Sequence, residues 1–468
     1  MASVSARRQE APERAITKVA LAACAGSSIE WYDFFIYGTA AALVFPSLFF
    51  PESSALAGTL ASFATFSVGF FARPVGGIIF GHFGDKVGRK RALVTALLMM
   101  GTATTLIGLM PTYATIGVMA PIILVLLRFV QGLAVGGQWG GAVLLATESA
   151  PREKRGFYGS FAQIGVPVGV ILANLLFLLV NAVVAPEAFA SWGWRVPFVM
   201  SIVLIGIGLY IQLRLEDTPA FRHLQEYRET HQTEAEREEA RAVAQKSPIL
   251  DAFREYPKEI ALAAGAFVAI NANFYIFITF IIAYGTNPDI LGLPQGTMLA
   301  AVLIASVFQI PALLYSARLT DRIGRRGLYM LGAILLGVWS FILWPLVNTE
   351  SFILITLGLV VGQGFLSMMY GPQAAFYSEI FTTRVRYSGA SLGYQIGAIF
   401  GGALAPLIAT YLLAAFGSWV AIAVYMALLC AITCASVYLL TETYRTDVDD
   451  ARMPSERRVA AEAQEPTT

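Results

Sequence analysis

The chain has 468 residues, of which 57% are hydrophobic and only 13% charged, with a formal net charge of +1. A soluble domain carries about a quarter charged residues, so this chain has little with which to solvate a surface, and an ordinary soluble enzyme is excluded. Cys24, Cys430 and Cys434 all fall in apolar stretches and read as packing residues, with neither a disulfide nor a metal site expected.

An apolar run needs about 20 residues to cross ~30 Å of hydrocarbon. Twelve such runs are predicted: 19–45, 57–81, 92–111, 115–141, 157–184, 195–213, 259–284, 297–317, 327–347, 351–378, 388–414 and 418–440. The polar start of the chain and the length of the first run argue against a cleavable signal peptide. The first run carries Glu30 and Asp33, three residues apart on one helical face that Tyr37 extends. Asp33 lies about 14 residues from the inner end, or ~21 Å at the helical rise, which puts it near the midplane. Arg73-Pro74 falls about two-thirds of the way inward along the second run; Arg73 can snorkel to the inner interface or pair with a nearby Glu or Asp, and a structural role is favoured. Arg128 stands near the middle of the fourth run, with Gln131 and Gln138 beyond it. Asn271, Asn273 and Tyr275 in the seventh run and Gln363 and Tyr370 in the tenth supply further intramembrane polar groups. His82, His223 and His231 sit at loop edges, which argues against a histidine proton relay.

Alternate connections placed on opposite sides separate the basic residues sharply. One side holds 29 of the 32 lysines and arginines, and the other holds only Arg195; Arg73 and Arg128 are inside spans. The excess marks the cytoplasmic side, with both termini there. The expected organisation is a cytoplasmic segment 1–18, a six-helix bundle 19–213, a charged cytoplasmic loop 214–257, a second six-helix bundle 258–440 and a cytoplasmic tail 441–468.

The two bundles repeat one another. GHFGDKVGRKR (Gly81–Arg91) and ARLTDRIGRRG (Ala317–Gly327) share Asp-x-x-Gly-Arg-(Lys/Arg), with Asp85 and Asp321 half a chain apart. At a constant offset of 231, Glu148 matches Glu379, Arg155 matches Arg386, Trp139-Gly140 matches Tyr370-Gly371, and Ser160 and Gln163 match Ser391 and Tyr394. Leu359 stands where the first half has Arg128, so the ionisable cluster belongs to the first half alone. Internal duplication of this kind is most at home in secondary transporters.

The chain resembles the major facilitator superfamily, and within it the metabolite:proton symporters, whose members carry shikimate, 2-oxoglutarate, citrate and proline/betaine. The resemblance rests on SSIEWYDFFIYG (Ser27–Gly38), ARPVGGIIFGHFGDKVGRKR (Ala72–Arg91), RFVQGLAVGGQWGGAVLLATESAP (Arg128–Pro151), LEDTPAF (Leu215–Phe221) and YGPQAAFYSEIFTTRVRYSGASLGYQIG (Tyr370–Gly397). It covers the whole membrane part. Gln138 stands where related sequences often have Glu, and Ala317 replaces the first Gly of the second loop motif. The resemblance implies an all-α fold of twelve transmembrane helices in two six-helix pseudo-repeats. It also implies a cytoplasmic gate at Asp85, Arg89, Glu148 and Arg155, repeated by Asp321, Arg325, Glu379 and Arg386.

The residues themselves suggest proton coupling. A charge buried in a membrane helix costs about 2.5–3.5 kcal/mol on insertion scales, so such groups are retained for a reason. Arg128 can compensate one of Glu30 and Asp33; the other, without a counter-ion, is the proton-binding candidate. The expected site is Asp33, Glu30 and Arg128 for coupling, with Tyr37, Arg128, Gln131, Gln138, Asn271, Asn273, Tyr275, Gln363 and Tyr370 for substrate. No phosphate loop, metal cluster or nucleophile constellation is present, so no cofactor and no catalysis are expected. The reading is a monomeric inner-membrane symporter that takes protons and a small polar metabolite, foremost an organic acid, across the lipid bilayer, without a nucleic-acid partner. The alternatives are a carrier of a zwitterionic compatible solute and a non-transporting sensor on the same fold.

Overall fold

The architecture was obtained as a computed structural model that describes residues 2–87, 89–136, 154–215, 253–381 and 386–444; the side chains of residues 2–16, 18, 19, 22, 81–90, 92, 93, 211–215 and 386–387 are outside that description. It is helical throughout, with no strand among the described residues. In a bilayer the backbone must satisfy its own hydrogen bonds, and long apolar runs do so as helices.

The first half comprises α1 (Ala2–Leu43), α2 (Ala55–Val87), α3 (Arg89–Leu109), α4 (Met119–Val135), α5 (Arg155–Val183) and α6 (Val196–Leu215). The second comprises α7 (Pro257–Thr286), α8 (Gln295–Ile323), α9 (Arg326–Val347), α10 (Phe352–Ile380), α11 (Arg386–Ala398, continuing to Phe416) and α12 (Trp419–Leu439). These are the twelve runs of the sequence. Nine of the described helices are long and apolar enough to cross a membrane, and apolar stretches of α3 and α4 are shorter. The sequence places the inner ends of the second and eighth runs at residue 81 and residue 317, whereas the helices continue to Val87 and Ile323. An apolar run stops at its first charges, but the helical ladder does not. The expected loop motifs are therefore largely built on helix ends. The central loop and the tail beyond Tyr444 lie outside the described residues.

Within the first half α1 packs on α5, α2 on α4, and α3 on α6; within the second, α7 packs on α11 and α12, and α10 on α8 and α9. The α2–α4 contact is set by small residues. A Cβ on Gly136 would lie 1.9 Å from the Arg73 carbonyl, and one on Gly132 2.2 Å from that of Gly69. Only glycine lets these backbones approach so closely, and the approach sets Arg73 and Arg128 into one core. The halves meet along α5 with α8, α5 with α10, α2 with α11, and α1 with α7.

The apolar stretch of α7 is 94% enclosed by protein, against half or less for the other eight long spans. It is a core helix, as is α1 over 27–43, where all but two residues are buried, while Leu109, Leu126, Ile353 and Phe416 on other helices face outward, where a bilayer covers them. Both α7 and α11 contain a π-helical turn, Ile276–Phe280 and Ile399–Ala403. Such turns are common at functional sites, and the first begins directly after Tyr275.

Candidate functional site: a central cavity and its buried charges

Between the halves lies a cavity of about 20 Å³, lined by Trp31, Val166, Phe267, Ile270, Asn271, Phe274, Tyr275, Leu366, Tyr370 and Tyr394. That volume holds about one water, so the space between the halves is narrow here. Asn271, Tyr275 and Tyr370 are brought together here. Asn271 donates to the Ala398 carbonyl at 3.3 Å, and the Tyr370 carbonyl accepts from Gln163 at 2.6 Å across the interface. The Tyr275 hydroxyl is buried without a hydrogen-bond partner. Asn273 is on the other side of α7, where its amide donates to the Ala269 carbonyl and the Cys430 sulfur. Gln363 is buried on α10 and does not line the cavity.

The ionisable groups form two linked sets. Asp33 is fully buried, and neither carboxylate oxygen has a hydrogen-bond partner. The hydroxyls of Ser201 and Thr104 face it without completing a hydrogen bond to it. Thr104 instead donates to the Met100 carbonyl and accepts from Gln131 at 2.7 Å. Gln131 in turn accepts from Arg128 at 3.1 Å. Gln131 thus bridges Arg128 toward the surroundings of Asp33 and does not line the cavity. Arg128 stands over the rings of Phe34, Tyr37 and Phe66 at 3.9, 4.3 and 4.7 Å and donates to the Phe66 carbonyl at 3.3 Å. Its Nη2 has no partner. The Tyr37 hydroxyl is spent on Thr65 at 2.7 Å.

Arg73 is the second buried cation. It does not reach the inner interface; it is 1% exposed, with its guanidinium 4.5 Å from the Phe34 ring centre, 4.8 Å from Phe70 and 5.0 Å from Trp31. It is within electrostatic reach of Glu30, which is only partly buried, and of Tyr275, Tyr370 and Tyr394. Two acids therefore face two bases in this core. The sequence allowed Arg73 to pair with a nearby acid but assigned only Arg128 to the coupling cluster, because Arg73 lies closer to the inner end along its run; the aromatic rings that surround it come from α1 and α2 together. Trp31, Phe274 and Tyr394 were also missed as cavity residues. The register that pairs Tyr394 with Gln163 was the available signal, since both meet at the interface.

At the inner end, Asp321 crosses between the halves. Its two oxygens accept from the backbone amides of Gly156 and Phe157, each at 2.9 Å, and so cap the N-terminus of α5, where a carboxylate is favoured. Arg325 joins Asp321 at 2.6 Å and Glu379 at 3.2 Å. Burial alone would lower the Arg325 pKa; the carboxylates of Glu379 and Asp321 outweigh it and hold the guanidinium above its ordinary value. Arg155 acts electrostatically on Glu379. Sequence reasoning missed the contribution of the segment after α12. Glu442 accepts from the first amides of α9 at Arg325 and Arg326, both at 3.0 Å, and Thr443 donates to Glu379 at 2.7 Å. An acid just past a span was the only sequence signal. Gln138 and Glu148 lie outside the described residues, as do the side chains of Asp85, Arg89 and Arg386. At the outer end Asn181 on α5 donates to Gln295 on α8 at 3.1 Å.

Two six-helix repeats around a central cavity, joined by polar contacts at both ends among the described residues, define a membrane transporter of the major facilitator fold. The fold matches the proton:xylose symporter XylE with a TM-score of 0.70 over 94% of this chain and 98% of that one, at 16% identity. The chain belongs to the sugar (and other) transporter family, whose sequence model matches residues 19–451. It is 40% identical to the inner membrane metabolite transport protein YhjE of Escherichia coli (strain K12), over 92% of this chain and 96% of that protein. It is 38% identical to the shikimate transporter of the same organism, over 92% and 95%. It is 33% identical to the proline/betaine transporter of Salmonella typhimurium (strain LT2), over 85% and 78%. The protein is a transporter of a small molecule, not an enzyme.

Proposed function

We propose that the protein is a proton-coupled symporter that imports an organic acid across the inner membrane by alternating access. The observation that carries this reading is Asp33, a carboxyl buried near the midplane with neither oxygen hydrogen-bonded. An ionised carboxylate there has no completed hydrogen bond and no cation against it, with only hydroxyls facing it, so the site accommodates the protonated acid more readily than the ionised one. Asp33 is the principal proton carrier, Glu30 the second, and Arg128 the fixed charge linked toward Asp33 by Gln131 and Thr104. The network around Asp321 is one half of the cytoplasmic gate, Asp85, Arg89, Glu148 and Arg155 are the sequence candidates for the other half, and the two bundles, 19–213 and 258–440, rock about the cavity. The 38% identity to a shikimate transporter supports an acid as substrate. A zwitterionic compatible solute is the second reading, supported by the likeness to a proline/betaine transporter.

Purified protein in proteoliposomes decides between them. An inward proton gradient is expected to drive accumulation of an organic acid from a panel of acids, betaines and amino acids, with alkalinisation of the outside medium. Uptake that ignores the gradient would refute coupling, and accumulation of a betaine alone would favour the second reading.

The distribution of basic residues supports a cytoplasmic position for both termini and the loop 214–257. A single cysteine at Asn287 is expected to react with an impermeant thiol reagent from outside, and one at Lys258 to be protected; the reverse pattern would invert the orientation.

A further inference from the structure

We propose that the cavity takes a small carboxylate carried on a flat ring, with the carboxylate on Arg73 and the ring against Trp31, Phe274 and Tyr275. The proposal rests on the symporter reading and narrows its substrate class.

Arg73 is buried, and its Nε and Nη2 have no hydrogen-bond partner. The Tyr275 hydroxyl, within reach of that guanidinium, is likewise unpartnered. Unpaired donors in a low-dielectric core are costly, and a carboxylate satisfies a guanidinium fork with two parallel hydrogen bonds. Arg128 is less suited. Two of its nitrogens are spent on the Phe66 carbonyl and Gln131, and the rings beneath it, Phe34, Tyr37 and Phe66, do not line the cavity. Of the rings about Arg73, Trp31 lines the cavity, whereas Phe34, Phe70 and Arg73 itself do not; the guanidinium stands behind Trp31 and Tyr275 and reaches a ligand between them when the halves part.

The walls set the rest of the ligand. Trp31, Phe267, Phe274, Tyr275, Tyr370 and Tyr394 are six of the ten lining residues, and none of the ten is acidic. Aromatic walls receive a flat ring in offset or edge-on contact, with a gain beyond the area buried. They would also receive a quaternary ammonium, but the Arg73 cation already lies over Trp31, Phe34 and Phe70 and repels a second cation there. The narrow cavity admits about one water, so the ligand enters when the halves part.

The test uses the full-length protein in lipid nanodiscs without a gradient. The probes are benzoate, benzamide (the same ring without charge), propionate (the carboxylate without a ring) and trimethylglycine, with thermal stabilisation and tryptophan fluorescence as readouts. Benzoate is expected to bind saturably and at least about tenfold more tightly than each of the others. Arg73→Gln is expected to weaken benzoate about tenfold or more, and Arg73→Lys to recover only part of that loss, because an ammonium cannot form the fork. Should Arg73→Gln not fold, the ligand series on the parent together with Tyr275→Phe decides; that variant is expected to weaken benzoate about threefold or more. Equal binding of benzamide or propionate, tighter binding of trimethylglycine, or parent-like benzoate binding by a folded Arg73→Gln overturns the proposal. Benzoate binding without gradient-driven uptake of any acid would leave the ring site standing and refute coupling alone. Gradient-driven uptake of open-chain acids with no benzoate binding would do the reverse.

Discussion

Asp33→Asn is expected to abolish proton-driven accumulation while leaving energy-independent exchange of substrate. Asparagine holds the site permanently in its uncharged form. The carrier can then still close around substrate and reopen, but no proton travels with it. With one proton per substrate molecule and no net charge moved, a one-unit pH gradient supports about tenfold accumulation; the variant is expected to fall to about onefold, with counterflow near the parent rate. Glu30→Gln is expected to have the smaller effect, since Glu30 is partly exposed whereas Asp33 is fully buried. The measurement is paired uptake and counterflow in proteoliposomes of defined internal pH. If both amide variants concentrate substrate as the parent does, the α1 acids are structural. In the symporter reading, proton and substrate binding assist each other, and linkage makes that assistance mutual.

Asp321→Ala is expected to open the cytoplasmic side. It removes two charge-assisted hydrogen bonds to the amides of α5 and one ion pair with Arg325, and it leaves Arg325 with Glu379. A hydrogen bond to a charged group contributes about 1.5–3 kcal/mol, so the open population should rise about tenfold or more. Ser160 on α5 is fully buried, and a cysteine placed there reports the opening by its alkylation rate in the purified protein. Ligand affinity should change by less than about threefold, because none of the affected groups lines the cavity. An unchanged alkylation rate together with collapsed affinity would move Asp321 from the gate to the binding site.

The cluster around Asp321 illustrates why part of the candidate site was legible in the sequence. Asp321, Arg325 and Glu379 were legible because duplication repeats their residue types at fixed offsets. What the register could not say is which group each would touch. Asp321 meets backbone amides of the opposite half, and amides carry no sequence signature. Glu442 and Thr443 join this cluster from beyond α12; an acid just past a span hints at a role but not at the partner it meets. Asn271 and Asn273 show the same limit in the spans. They are two residues apart, so helical geometry sends them to different faces, but only the packing of α12 decides that Asn273 faces Cys430.

The sequence by itself determined the twelve spans, the duplication and the presence of ionisable groups at membrane depth, because each is written in local hydropathy or in a repeated spacing. Charge placement also separated the loops into two sets. The tertiary structure decided the partners of those groups. Arg73 sits under aromatic rings because Gly132 and Gly136 let α2 and α4 approach within backbone contact while α1 supplies Trp31 and Phe34. Three helices distant in sequence thus make one environment. A side chain's solvation and pairing depend on everything that surrounds it, and in this chain most of what surrounds the buried charges comes from other helices.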